Sequence, residues 1–351
     1  MALTNLQKSA LEKARASGAG TMGVSLSDEA CNFLIATIAN DLRIRSLFPE
    51  LRVGSTDFFS IAPIEAALSV KTELYELFER LVTVASDADT YFSCLAALHR
   101  SRLKYARILE HQPIPTMDQV GPRSLLQFGT MRPHALATFL LWRKWIFDID
   151  NRAGQETGYL FEPIIAHAIG GVPFGSRRSL IRRQSDNRKG RQVDCIRDRH
   201  AYEFKIRVTI AASGQGRWRE ELEFPVDCRN SGYTPVLVVL DPTANPKLQD
   251  LVKAFEREKG DVYVGDDAWA HLEAAAGKTM ALFLEKYVRG PIQLVLRDCP
   301  EMLPDLTLAM SENTFTVSIG ADTYSFPRAE IEEMAGETAL PEDIDDETPG
   351  L

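Results

Sequence analysis

The chain has 351 residues and a formal net charge of −9 at pH 7, a balance that argues against a generic nucleic-acid coat. Its five cysteines, Cys31, Cys94, Cys195, Cys228 and Cys299, are scattered, odd in number and without a CxxC pair, so reduced thiols in a cytoplasmic protein are the simplest expectation. The first 21 residues lack an apolar signal core and no stretch approaches a membrane span, so neither export nor a membrane partner is expected.

Residues 1–150 predict an all-helical region. Ser27 and Asp28 cap a helix running to Arg45, with Phe33, Leu34, Ile38 and Leu42 at helical spacing. Further helices are expected over Pro63 to Ala85, Tyr91 to Leu109 and Pro133 to Ile149. Their apolar stripes read first as core and second as a dimer interface or a DNA clamp. Around Trp142 and Trp145 the last of them carries more apolar surface than one face needs, which predicts a helix sandwiched between this region and the next.

From 151 to 290 the pattern becomes mixed, an α/β core. A short apolar helix, Ile164 to Ile169, is closed by Gly170-Gly171 and has Glu162 near its beginning. Gln192 to Ile196 and Ala201 to Val208 read as strands, and a two-residue turn at Asp198-Arg199 would set Asp194 opposite Glu203. Gln215 to Leu222 is expected to be a helix or a loop with a helical turn. Pro235 to Leu240 is an unbroken apolar run of the length of a strand buried on both faces. A helix (Pro246 to Lys259), a strand (Asp261 to Val264) and a long helix (Asp266 to Arg289) follow. In the last part, 291–351, Thr314 to Ile319 and Thr323 to Phe326 flank Gly320-Ala321-Asp322 as a small β-hairpin, ahead of an acidic tail that reads as solubilising.

Glu203-Phe204-Lys205 is the only place where an acidic residue stands two positions before a lysine. On a strand, residues i and i+2 share a face, so Glu203 and Lys205 point together while Phe204 and Ile206 point away. Asp194 facing Glu203 makes two carboxylates that repel unless one is protonated or a cation lies between them, and oxygen ligands suit a hard ion such as Mg²⁺. Lys205 beside them would hold a water while the ion draws charge from a phosphate, the parts of phosphodiester hydrolysis. The plainer reading is a solvated strand face with ordinary paired charges.

Charge is segregated around this tripeptide. From Arg177 to Arg219 there are thirteen Lys or Arg against Asp186, Asp194, Asp198 and Glu203, a stretch suited to neutralising phosphates. Base reading needs planar or amide side chains, and Gln215, Arg217 and Arg219 come first for it, with Arg182, Arg183 and Gln184 next; the alternative for each is solvated surface or a phosphate clamp. Other chemistries fall away. Gly277-Lys278-Thr279 has Leu272 where a phosphate loop needs glycine, and the six histidines show no metal-ligand spacing.

The order helix, strand pair, crossover and buried strand over residues 158 to 265, with Asp194 and Glu203-Phe204-Lys205 on adjacent strands, resembles the PD-(D/E)XK nuclease superfamily, and in particular type II restriction endonucleases. Val193 stands where the motif's proline would be. The stretch from Tyr202 through Ala211-Ala212-Ser213-Gly214-Gln215-Gly216-Arg217-Trp218 is similar to ApaLI-like restriction enzymes. The resemblance implies a restriction-endonuclease-like mixed sheet; Asp194, Glu203 and the Phe204 carbonyl as Mg²⁺ ligands; Lys205 orienting the attacking water; and Glu162 assisting. It further implies a bacterial or archaeal enzyme cutting double-stranded DNA at a short site as a homodimer. A structure-selective or repair nuclease of the same fold and a non-catalytic DNA-binding protein remain as alternatives.

Overall fold

A computed structural model describes residues 3–16, 23–51, 57–59, 73–206 and 215–329. The N-terminal part is helical: α1 (Asn5–Arg15), α2 (Asp28–Asp41), α3 (Leu74–Val84), α4 (Ala88–His111), the single turn α5 (Met117–Val120) and α6 (Pro133–Ala168). Ser27 caps α2 by accepting from the Ala30 amide at 3.2 Å, satisfying one of the first-turn donors that a helix leaves open. Every residue from Ala30 to Ala39 is buried, the polar Asn32 and Thr37 among them, so this helix is covered on all sides. Of the helix expected over 63 to 85, residues 63–72 lie outside the described residues.

The two helices expected at 133 to 149 and 164 to 169 are one helix of 36 residues. Pro163 lies inside it and removes one backbone donor. Burial of Pro163, Ile164, Ile165 and Ala166 holds the axis through that defect, a tertiary gain that outweighs the local penalty of about 3 kcal/mol. Helix α6 therefore passes unbroken through residue 150. Glu162 accordingly sits in its last two turns rather than at a beginning.

The central sheet runs β1 (Val172–Phe174), β4 (Val193–Arg197), β5 (His200–Lys205), β6 (Thr234–Val239), β7 (Asp261–Val264) in spatial order. The first two pairings are antiparallel and the last two parallel. Parallel neighbours need long crossovers. Here α7 (Gln215–Asn230) returns β5 to β6, and α8 (Pro246–Arg257) returns β6 to β7. One face, with Cys195, Tyr202, Phe204, Val236 and Val238, joins the N-terminal helices and α9 (Asp266–Leu284) in a single buried cluster. The opposite face, with Ala201, Leu237 and Val239, packs on Phe224 and Cys228 of α7 and Leu251 and Phe255 of α8. A Cβ on Gly171 would overlap Cys195 Sγ, so the chain leaving α6 passes the sheet only as glycine. The five cysteines are all free, four of them buried.

The long helix expected to Arg289 stops at Leu284, is kinked at Gly277 (φ 68°, ψ 173°), and continues through a π-helical turn, Glu285–Arg289, into α10 (Gly290–Arg297). At that turn the buried Asp41 carboxylate accepts from Tyr91 and Tyr287 hydroxyls at 2.7 and 2.6 Å and pairs with Lys286. One carboxylate thus ties α2, α4 and the π-turn together. The hairpin expected near the C-terminus is present, β9 (Thr314–Ile319) with β10 (Asp322–Pro327), and β8 (Leu306–Met310) adds a third antiparallel strand. Phe315 of β9 packs against Trp142 at a tilt and against Trp145 edge to face, with ring centroids 6.1 and 4.7 Å away. The extra apolar surface of α6 around Trp142 and Trp145 therefore meets this small sheet, while the helix as a whole packs on α4 of the helical region and on β1, β4 and α9 of the core. Among the described residues no helix is long and apolar enough to cross a membrane.

Candidate active site

The hairpin that carries the site forms as its sequence dictates. Arg197 pairs with His200 and Cys195 with Tyr202, leaving the two-residue turn Asp198-Arg199, where Asp198 adopts φ 53°. Aspartate tolerates that left-handed conformation better than most residues. The register carried one step further brings Asp194 to Glu203. Beyond the last backbone pair, Asp194 Oδ2 accepts from the Phe204 amide at 2.8 Å. The strand expected to Val208 is described as far as Lys205, and Arg207 and Val208 lie outside the described residues.

Phe204 is buried on the helical side of the sheet, and Glu203 and Lys205 share the α7 side. Lys205 Nζ lies 2.7 Å from Glu203 Oε1 and 3.7 Å from Glu221 Oε1. Glu221 belongs to α7, and sequence reasoning missed it: inside a Glu-rich helix nothing marks one carboxylate until the crossover brings it to β5. The Lys205, Glu203 and Glu221 side chains are only 21 %, 15 % and 22 % exposed, so their interactions are weakly screened.

Electrostatics show an excess of negative charge. Burial pushes the Asp194 carboxyl well above the ordinary carboxylate range, helped by Glu203 and Glu162 and opposed by Lys205 and the Phe204 amide. Burial also raises Glu162, to about 7, against the pull of Lys205 and with a further push from Glu203. Burial alone would lower the Lys205 amine, but Glu203, Glu221 and Asp194 outweigh it and hold it above its usual value. One ammonium faces four carboxylates. Such a donor set fits a hard divalent cation, which would relieve the repulsion. Among the described residues no three or more His, Cys, Asp or Glu side chains form a ready metal cage. Mg²⁺ does not need one, since it keeps several waters and takes one or two carboxylates. A small cleft lined by Phe174 and Gln192 adjoins two of the four carboxylates, Glu162 and Asp194.

The candidate DNA-contacting residues divide. Arg182 and Gln184 are exposed on a two-stranded ribbon, β2 (Arg182–Arg183) with β3 (Asp186–Gly190), that the sequence did not announce. Arg183 is committed to Glu220 at 2.6 Å and Arg219 to Glu223 at 2.7 Å. Gln215 and Arg217 fall in the first turn of α7, and their side chains lie outside the described residues. The basic stretch ends at Arg219, and the next eight residues supply Glu220, Glu221, Glu223 and Asp227. The fold pairs much of the one with the other, so the segregation of charge along the sequence is partly cancelled in space.

A profile of the family described as ApaLI-like restriction endonuclease matches residues 59–289. The chain is also 46 % identical over 281 residues to the type II restriction enzyme ApaLI of Acetobacter pasteurianus, covering 76 % of this chain and 75 % of that protein. No solved structure matches. The profile spans helices α3 to α6 as well as Asp194, Glu203, Lys205 and Glu221, and with that identity it settles the lineage: the chain belongs to the ApaLI-like restriction endonuclease family.

Proposed function

We infer that this chain is a type II restriction endonuclease that hydrolyses phosphodiester bonds of double-stranded DNA at a short specific sequence with Mg²⁺ as cofactor. Its family makes it a site-specific deoxyribonuclease. The observation that carries the mechanism is the buried Asp194 carboxylate set against Glu203, with Lys205 held between Glu203 and Glu221.

Asp194, Glu203 and the Phe204 carbonyl would hold the ion. The Phe204 amide points at Asp194, and the carbonyl of a strand residue points to the same edge as its amide. When bound, Mg²⁺ supplies Lewis-acid withdrawal of charge from the scissile phosphate. Lys205, kept charged by its carboxylate neighbours, has three donors and no acceptor, so it orients the attacking water and steadies phosphate charge rather than taking a proton. Glu162, with its carboxyl raised to about 7, supports a ligand or a second ion.

The homodimer follows from substrate symmetry: a palindromic site presents its two scissile bonds across a two-fold axis, one for each subunit. Residues 1–150 would serve as dimer contact or DNA clamp, 151–290 as the nuclease core and 291–351 as its β-appendage and acidic tail. A cytoplasmic location in a bacterium or archaeon suits an enzyme with free thiols. Digestion of phage DNA with Mg²⁺ beside an EDTA control tests the assignment. Discrete, Mg²⁺-dependent fragments support it; cutting confined to branched DNA points to a structure-selective nuclease, and binding without cutting to a non-catalytic protein. Wild-type rates from Asp194→Ala or Lys205→Ala would refute the site.

A further inference from the structure

We propose that the β2–β3 ribbon is the element that reads base edges in the major groove of the target, through Gln184, Asn187 and Arg188. The proposal rests on the nuclease assignment above and uses none of its catalytic residues. Arg182, Gln184, Asn187, Arg188 and Lys189 are all exposed, and neither strand has an apolar residue to bury. The ribbon gives the core nothing, yet its root is held firmly.

Ile181 is fully buried, and a Cβ on Gly190 would overlap the Ser176 carbonyl. The Arg191 amide donates to Ile181 O at 3.0 Å, closing the base of the ribbon. The Arg182 amide donates to Ser231 Oγ at 3.0 Å and the Gln184 amide to Asp227 Oδ1 at 2.7 Å. Arg191, 6 % exposed, pairs with the same Asp227, and its guanidinium also donates to Glu220 O at 2.9 Å. Burying an ion pair carries a large desolvation penalty. Here that pair fixes a polar, cationic ribbon in one orientation, the preorganisation that a recognition element needs.

β2 and β3 pair at Arg182–Gly190 and Arg183–Asp186, so Asn187, Arg188 and Lys189 bulge from the ribbon between those pairs, and their chemistry fits one partner. The major groove admits a two-stranded ribbon; glutamine and asparagine pair with adenine's edge there, and arginine with guanine's. Arg182 and Lys189, on either side, suit phosphates. The ribbon is also continuous with the cutting strand, since β3 ends at Gly190 and β4, with Asp194, begins at Val193. The anchored root therefore holds the ribbon in a fixed place relative to the strand that bears the proposed metal ligand.

The test begins with wild-type protein and sequenced fragment ends, which define the site. Gln184→Ala, Asn187→Ala and Arg188→Ala are then compared on that duplex, on single-base-pair variants of it, and on duplexes carrying 7-deazapurines, which lack the major-groove N7. For a base reader, cleavage of the matched site falls about ten- to hundredfold while altered sites are cut as before. The 7-deaza substitution that slows wild type then adds nothing to the variant that has lost that contact. Arg188→Lys keeps the charge and loses the planar pair, so it behaves like Arg188→Ala and takes its place where thermal unfolding shows that variant misfolded; Gln184→Glu and Asn187→Asp do the same at their positions. Uniform loss on every duplex with a shallower salt dependence marks a phosphate clamp and overturns the proposal, as does unchanged discrimination in all three variants. A wild-type protein that yields no discrete fragments defeats the nuclease assignment and this proposal with it, so the two failures are distinguishable.

Discussion

Glu221, on the crossover helix, holds its carboxylate 3.7 Å from the Lys205 ammonium on the strand that precedes it. Lys205 already has Glu203 at 2.7 Å, so its amine is gripped from two elements at once. A lysine restrained in this way keeps its charge and its position. We expect Glu221→Gln to slow single-turnover cleavage roughly ten- to hundredfold, the scale of a small misplacement of a reacting group, with DNA affinity unchanged. Because Glu221 also holds the Lys205 amine above its usual value, the alkaline limb of the pH profile should move to lower pH. A purely structural role would leave that limb in place.

Removing a proposed metal ligand should be more severe. Asp194→Ala and Glu203→Ala are expected to reduce cleavage of supercoiled plasmid by about a hundredfold or more, while mobility-shift assays still detect DNA binding. EDTA should act on the wild type in the same way, abolishing cutting without preventing binding, and added Mg²⁺ should restore it. Loss of binding along with cutting in these variants would point instead to a fold defect.

The raised Glu162 carboxyl has a signature in stability. Its folded value of about 7 lies above the unfolded 4.5, so between these pH values the folded chain keeps a proton that the unfolded chain has lost. The contribution is fully present below about 4.5 and is lost as pH rises through about 7. In metal-free protein the difference in unfolding free energy between wild type and Glu162→Gln should therefore move against the wild type as pH rises across this window. Chemical denaturation at pH 5 and pH 8 measures it, and saturating Mg²⁺ should shrink it by compensating the carboxylate charge.

Arg191 and Asp227 form a pair that is 7 % and 1 % exposed on its side chains. Removing one partner leaves the other charged and buried, which costs about 3–5 kcal/mol. Asp227→Ala should lower the denaturation midpoint accordingly and open the ribbon to proteolysis between 182 and 190, with β5 and β6 still protected from hydrogen exchange. Equal deprotection of ribbon and sheet would contradict the anchoring role.

The sequence by itself determined the hairpin that places Asp194 against Glu203, because that geometry depends only on a two-residue turn and strict strand alternation. It likewise set β6, β7 and α8 nearly to the residue, where apolar runs and caps are local signals. Tertiary structure alone decided the rest. Helix α6 crosses Pro163 because packing on both sides outweighs one lost hydrogen bond. The ribbon has no strand-forming residues, and it exists because Asp227, Ser231 and Glu220 of the neighbouring helical segment hold its root. Glu221 reaches Lys205, and the arginines of the basic stretch find their carboxylates, only once the crossover folds back on the sheet. Interactions between residues close in sequence are written in local pattern. Those that require two elements to meet depend on packing, which no single segment encodes.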